Sequence, residues 1–416
     1  MNQPCLKSEL SLFDPPLTQV TMERAHWVDM YPIASLDGNG PIEFSFLGTQ
    51  DEYLDLNDTS LYVKLKVTKN DGSALPAVAT ATAIPANLTL SALFTDVTLT
   101  MNDTVVEGGN FLYPYKAMMT SLLQFDEGMK KTQLEAAGYN ANAAIRKGWI
   151  AGSVAHEFMG PLHLDMFAQA KYLLPGVNVR IKMTRSKLDF LIQNGGTRGD
   201  VKVVMEKACL YVRKIKVNPT VLTAHEDGLE RMNAIYPIQQ SDMLSYTISA
   251  GSSYHMQDNL FRGQIPKMII IGLVGNAAFN GDAKDDPLKF KNFGVNYLTL
   301  QRDGESVPYT QPLQPDFANK LVTHSYMAMI QSLEMYNTNL SNDITMEKFM
   351  DGCTLFVFNL TSDLSAGGAC GQPYQTGNLR LELKFAAALT EGINVIAMAI
   401  RDGRLEVTKQ RQVLKS

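Results

Sequence analysis

Cysteine is scarce in this 416-residue chain: there are four, Cys5, Cys209, Cys353 and Cys370, and no two lie at metal-ligand spacing. That excludes a disulfide-stapled framework and reads as thiols packed in a reducing compartment. Charge is also low, at 19% of residues, and nearly balanced, with 37 Lys+Arg against 42 Asp+Glu. The net charge of −5 excludes a protein that coats itself in nucleic acid, which needs a basic stripe, but not a local basic patch. Long apolar runs are missing too. The longest, residues 268–274, is far too short to cross a bilayer. The opening Met-Asn-Gln-Pro-Cys-Leu-Lys-Ser-Glu-Leu holds no signal-type apolar stretch, so the expectation is a soluble protein made in the cytosol. Sequons such as Asn57-Asp58-Thr59 then go unused. No Gly-x-y or heptad repeat is sustained, which excludes a fibre.

What the chain does have is a 45% apolar share, with aromatic and β-branched residues spread throughout. That is enough for a large core without staples and excludes general disorder. At roughly 100–200 residues per domain, the length suggests two to four domains.

Four short blocks recur in the same order. Glu23-Arg24 followed by Tyr31-Pro32-Ile33 matches Glu230-Arg231 followed by Tyr236-Pro237-Ile238. Leu99-Thr100-Met101 matches Leu298-Thr299-Leu300. Tyr115-Lys-Ala-Met-Met-Thr-Ser-Leu-Leu-Gln-Phe-Asp126 matches Tyr326-Met-Ala-Met-Ile-Gln-Ser-Leu-Glu-Met-Tyr-Asn337, and Asn178-Val-Arg-Ile-Lys-Met183 matches Asn378-Leu-Arg-Leu-Glu-Leu383. The offsets stay between 199 and 211 residues, so the chain reads as two tandem copies of a unit of about 200 residues.

Most periodic segments have period two. Leu61, Val63, Leu65 and Val67 face one way and Tyr62, Lys64 and Lys66 the other. Residues 177–183 and 379–385 alternate likewise, and 201–205, 210–217, 267–274, 355–358 and 393–400 are further strand candidates. Gly, Pro, Asn and Asp punctuate between them, as at Asn70-Asp71-Gly72. Strands with one buried face need a second sheet to close over them, which predicts all-β sandwiches. Helices are few. Residues 115–125 carry Met118, Leu122 and Phe125 on one stripe, and Met329, Leu333 and Tyr336 repeat it. Each such helix should lie against the flank of its own sandwich. A second helical stretch, about residues 127–137, is expected after the first copy only.

The residues also resemble a known family. Pro41-Ile-Glu-Phe44, followed by Asp51-Glu-Tyr-Leu-Asp-Leu-Asn-Asp-Thr-Ser-Leu-Tyr-Val-Lys-Leu-Lys-Val67, resembles the first jelly roll of double jelly-roll, hexon-like major capsid proteins of the Maverick/Polinton and adintovirus group. Tyr113-Pro-Tyr-Lys-Ala-Met-Met119 is similar to the start of a helix in that group, and Leu355-Phe-Val-Phe-Asn-Leu-Thr361 and Gly377-Asn-Leu-Arg-Leu-Glu-Leu-Lys-Phe385 resemble its C-terminal half. The likeness spans roughly residues 20–410. It implies two tandem eight-stranded antiparallel jelly-roll sandwiches, each with a flanking helix: an N-terminal arm at 1–22, a first jelly roll at 23–218 and a second at 219–416. It implies a viral structural protein that forms a homotrimer, a pseudo-hexagonal block tiling an icosahedral capsid by self-assembly. The implied partners are neighbouring capsomers, penton or minor capsid proteins and, on the inner face, packaged double-stranded DNA. The implied location is the virion, after synthesis in the host cytoplasm. The stretch 401–415, with five basic residues against two acidic, is either a DNA-facing segment or a solvated strand end.

Catalytic motifs are missing: there is no phosphate-binding Gly-x-x-x-x-Gly-Lys-Ser/Thr loop and no Gly-x-Ser-x-Gly elbow. The six histidines, His26, His156, His163, His225, His255 and His324, are scattered, and His156-Glu157 lacks a second zinc-binding His. Asp51, Glu52, Asp55 and Asp58 could bind a cation, but Ser60 stands where such a loop needs glycine, so a solvated turn is the expectation. Neither a catalytic group nor a cofactor or metal is expected. Arg198-Gly199-Asp200 spells the integrin-recognition tripeptide in a loop-like stretch and is the candidate receptor-binding site. The 21 methionines fall mostly on apolar faces and fill core. The competing readings are a minor capsid or vertex protein, against which the duplication argues, and a bicupin-type enzyme or carbohydrate-binding protein. The last would need clustered His and Glu ligands or several exposed aromatics, and there are only two Trp.

Overall fold

A computed structural model of the chain describes residues 18–38, 40–49, 51–194, 200–367 and 371–415. Its first half contributes β1 (Met22–Met30), β2 (Ile42–Leu47), β3 (Glu52–Lys69), β4 (Ala83–Pro85), β5 (Phe94–Met101), β6 (Thr104–Glu107), β7 (His156–Pro161), β8 (Asn178–Arg185), β9 (Ile192–Asn194) and β10 (Val201–Val217). The second half contributes β11 (Ala234–Ile248), β12 (Tyr254–Gln257), β13 (Met268–Gly275), β14 (Val295–Arg302), β15 (Glu305–Val307), β16 (Leu355–Asn359), β17 (Leu379–Phe385), β18 (Ile393–Val407) and β19 (Val413–Lys415).

The expected alternation decides which faces are buried. In β3, Leu61, Val63, Leu65 and Val67 are at most 2% exposed, while Tyr62, Lys64 and Lys66 are half-buried. The candidates 201–205 and 210–217 are one continuous strand, β10, whose register against β3 slips between Met205 and Lys207. A bulge there carries the chain across what reads as a break in the pattern.

The sheets run β1-β10-β3-β7 and β2-β8-β5-β6 in the first half, with β4 and β9 as a small separate ribbon. In the second half they run β11-β18-β13-β16 and β12-β17-β14-β15, with β19 added onto β18. Setting the ribbon and β19 aside, both halves give the strand orders 1-8-3-6 and 2-7-4-5, with antiparallel pairing throughout. Each is an eight-stranded jelly roll, and among the described residues no sheet mixes the halves. Their buried side chains nevertheless form one contiguous apolar cluster running through both.

The repeats survive in part. Asn102 and Asp303, both at positive φ, occupy the same corner of the two jelly rolls. Asn102 N–H donates to the Asn178 carbonyl at 3.1 Å and its side chain accepts from Asn178 N–H at 2.8 Å; Asp303 and Asn378 repeat both bonds at 3.0 and 2.8 Å. Leu99 pairs with Ile181 and Leu300 with Leu381, so the counterpart of Leu99 is Leu300 and not Leu298. A two-residue slip in a period-two pattern returns every side chain to its own face, so the sequence match could not detect it. The first block is not an equivalence at all: Tyr31-Pro32-Ile33 lies beyond β1 with Tyr31 exposed, whereas Tyr236 is buried inside β11.

The helices depart further. The Tyr113–Gln124 helix is buried on nearly every side and does not merely flank its own sandwich. Tyr115, Met119 and Leu123 make a second apolar stripe beside Met118 and Leu122, and a helix apolar all round belongs between two bodies. Its counterpart, Thr323–Ser332, does lie on its own sandwich, against β16. Residues 127–137 form two single-turn helices, Glu127–Lys130 and Gln133–Ala136, and the second copy has its own short helix at Met346–Met350.

Candidate assembly site

The Tyr113–Gln124 helix, with Pro114 in its first turn, delivers Lys116 into the seam between the jelly rolls. Lys116 is 6% exposed. Its ammonium donates to Glu107 of β6 and, at 2.6 Å, to Asp165. The Asp165 carboxylate also accepts the Ser241 N–H of β11 at 2.8 Å, so one buried cation is tied through it to the second jelly roll. Burial works against the ammonium, but the two carboxylates outweigh it and hold Lys116 above its ordinary value. Burial, followed by the nearby Asp165 charge, pushes Glu107 up, against the pull of Lys116. Two carboxylates share one cation, and burial makes Glu107 hold a proton more tightly than a free glutamate does. Beside them the His163 ring is pushed down to about 4 by burial and then by Lys116, so it stays neutral.

Further ties cross the same seam. Arg146, 4% exposed, donates to the Pro85 carbonyl at 3.0 Å and to Asp286 at 2.8 Å. Lys130 reaches the carbonyls of Leu122 and, across the seam, Asn342; burial pushes it down to about 8. The Tyr115 ring stacks on Phe279, with centroids 5.6 Å apart. Between the halves runs a helix the sequence reading missed, Pro219–Leu229. Its signal was there: the Asn218 side chain accepts the Thr220 N–H at 3.0 Å and Pro219 opens the first turn. That helix places His225 Nδ1 2.7 Å from the Tyr53 hydroxyl. Tyr236 of β11 donates to the Tyr172 carbonyl and accepts from Leu174 N–H, both in the first half.

The C-terminal stretch is the last tie, and it keeps Arg404, Lys409 and Lys415 exposed as the expectation of a solvated strand end has it. After β18 the chain turns back as β19 along β6 of the first jelly roll. Asn102 donates to the Arg411 carbonyl at 2.8 Å, Thr104 to the Val413 carbonyl at 3.2 Å, and Lys415 to the Val106 carbonyl at 2.7 Å. Arg411 also bonds Pro175 and Glu226, Lys409 pairs with Glu230, Arg404 with Glu406 and Arg401 with Asp242. Each of the five basic residues has a partner within the chain: Arg411 and Lys415 reach the first jelly roll, whereas Arg401, Arg404 and Lys409 pair within the second.

The other sequence candidates are dispersed. Arg198 and Gly199 lie outside the described residues, as do most of the arm at 1–22, Cys5 and Cys370; Asp200 is exposed, and its carbonyl accepts Asn70 N–H at 3.2 Å. The acidic group is neither a cation site nor a solvated turn. Asp55 and Asp58 pair with Arg213, Glu52 with Lys214 and Asp51 with Lys216, a row of bases that β10 lays beside β3. The signal was in Arg213-Lys214-Ile215-Lys216, had the two strands been paired. The histidines lie apart: His26 is 3.6 Å from Glu52, and His156, His255 and His324 pack on Trp149, Tyr246 and Tyr309. Among the described residues no three His, Cys, Asp or Glu converge as metal ligands, and no helix is long and apolar enough to cross a membrane.

Among the described residues, one outer strand combines an unpaired edge with exposed apolar side chains. β1 is the outer strand of its sheet and carries Trp27, 54% exposed, followed by Tyr31 and Ile33, 58% and 64% exposed. An open edge with apolar side chains invites another chain to pair with it.

No protein-family model matches the chain. An uncharacterized protein of Caenorhabditis elegans is 26% identical over 368 residues, which cover 83% of this chain and 86% of that one. Among solved structures, a chain of the Sputnik virophage superposes with a TM-score of 0.66 at 11% identity, covering 100% of this chain and 92% of that chain. The PBCV-1 virus capsid gives 0.62 at 11%, covering 97% and 99%. The mavirus major capsid protein gives 0.57 at 12%, covering 100% and 95%. At such identities what is shared is the fold, two jelly rolls over the whole length.

Proposed function

We propose that this chain is the major subunit of an icosahedral viral shell, with self-assembly as its work and no catalysis. The observation that carries this reading is a jelly roll of one strand order built twice and locked side by side by a buried charged seam. In this reading the units are 23–218 and 219–416, preceded by an arm at 1–22. Three chains then set six similar wedges around a threefold axis, giving a pseudo-hexagonal block in which the rigid seam fixes the angle between wedges. A closed ring of this kind uses head-to-tail contacts, and the bare β1 edge supplies apolar surface for one. The solved chains of matching fold described as virus capsid or major capsid protein support the same reading.

The finer assignment follows from the sequence resemblance: a capsid protein of the Maverick/Polinton and adintovirus kind, docking onto neighbouring blocks and onto penton or minor capsid proteins, and resident in the virion. Arg198-Gly199-Asp200 is proposed as a receptor-binding tripeptide. Unchanged attachment of assembled particles to cells after Asp200→Glu removes that assignment. The shell reading is tested by the mass of the purified protein in solution. A particle of three times 46.0 kDa supports it, and a stable monomer at assembly concentrations overturns it.

A further inference from the structure

An apolar cavity of about 670 Å³ opens beside the Pro219–Leu229 helix. Met22, Val217, Val221, Leu229, Met232 and Ile235 are among the residues that line it. The polar groups at its rim are already engaged: the Lys171 ammonium donates to the Ile235 carbonyl at 2.7 Å, and His225 is bonded to Tyr53. What remains is apolar wall with nothing among the described residues seated on it, and Met232 stands 70% exposed at the mouth. A cavity of this character favours an apolar occupant.

The chain itself supplies one. Seventeen residues precede the described part, and they include Leu6, Leu10, Leu12 and Phe13. The described chain starts beside this cavity: Thr21 and Met22 belong to its wall, and the Thr21 carbonyl accepts Asn218 N–H at 2.9 Å at the foot of the helix. Met22 N–H bonds the Gln19 side chain at 3.1 Å, which bends the chain just there. Five residues of extended chain reach up to about 17 Å, so Phe13 can return to the mouth from Thr18. A tether this short sets an effective concentration of millimolar order, which favours the chain's own segment over one from another molecule. We propose that residues 10–13 of the same chain fold back and seat Leu10, Leu12 and Phe13 in this cavity, covering the junction between the two jelly rolls. This holds whether or not the chain builds a shell.

A photoreactive benzophenone amino acid placed at position 232 of the full-length protein tests it. Irradiation followed by denaturing electrophoresis and peptide mapping should give a cross-link to residues 1–17 in a band of single-chain mass. A cross-link to that segment in a band of two-chain mass overturns the own-chain assignment, and the absence of any link to it overturns the proposal. In the same background, Leu12→Asp with Phe13→Asp should lower the yield at least about tenfold, because two buried apolar groups become charged. An unchanged yield, with the native mass and melting temperature of the unmutated probe-bearing protein retained, also overturns it.

Discussion

Lys116 shows how much one side chain can decide. It is a cation removed from water and held by two carboxylates, one of which also grips the opposite jelly roll through Ser241. Such a cluster adds little net stability over a well-packed apolar one, yet breaking it by removing one member leaves charge buried without compensation. Lys116→Met should therefore cost about 3–5 kcal/mol, read as a lower urea midpoint at unchanged slope. Glu107 adds a pH dependence of defined sign. Its folded form holds a proton more tightly than its unfolded form does, so the neutral acid is what folding favours. That contribution is complete below the ordinary glutamate range and is lost as pH rises through the elevated folded value. Glu107→Gln should flatten this part of the stability curve, so that the mutant loses less on moving from mildly acid to neutral pH than the parent does.

At the scale of single elements, the two ends of the chain play opposite parts. β19 pairs with β18, while the Lys415 and Thr104 side chains reach across to main-chain carbonyls between it and β6, so the last strand ties the second jelly roll to the first. Among the described residues β1 is partnered on one side only and carries the exposed Trp27. Trp27→Asp should spare the monomer's melting temperature to within about 0.5 kcal/mol of stability, since an exposed position loses little. The same change should abolish higher assembly, because an inward or pairing charge at an edge blocks strand addition; light scattering reads both states from one preparation.

The whole molecule behaves as one body built from two. Among the described residues no sheet crosses between the halves, yet the apolar cluster does, and the seam adds Arg146–Asp286 and Lys130–Asn342 to the Lys116 group. Unfolding should accordingly be a single calorimetric transition. Arg146→Leu together with Lys116→Met should split it into two, because each jelly roll keeps its own sheets when the ties between them are cut. A single transition in that double variant shows that the shared apolar cluster and the remaining hydrogen bonds across the seam suffice to couple the halves.

How far the residues reveal this architecture depends on range. Period-two alternation in 61–67 and 379–385 marked the strands and their buried faces, because a side chain's face is set by its immediate neighbours. The paired Asn178 and Asn378 blocks marked the duplication, because each half needs the same corner beside the same strand. What stayed hidden was everything fixed by contacts distant in the chain. The repeat register slipped by two at Leu99 because the slip leaves every face unchanged. The acidic run at 51–58 resembled a turn until β10 brought Arg213, Lys214 and Lys216 beside it. That the end of the stretch 401–415 lies along β6 could not be read from its charges. A sequence carries the face of each strand, whereas which strand lies alongside which, and therefore which charge is buried and which edge is left bare, is set only when the two halves close on each other.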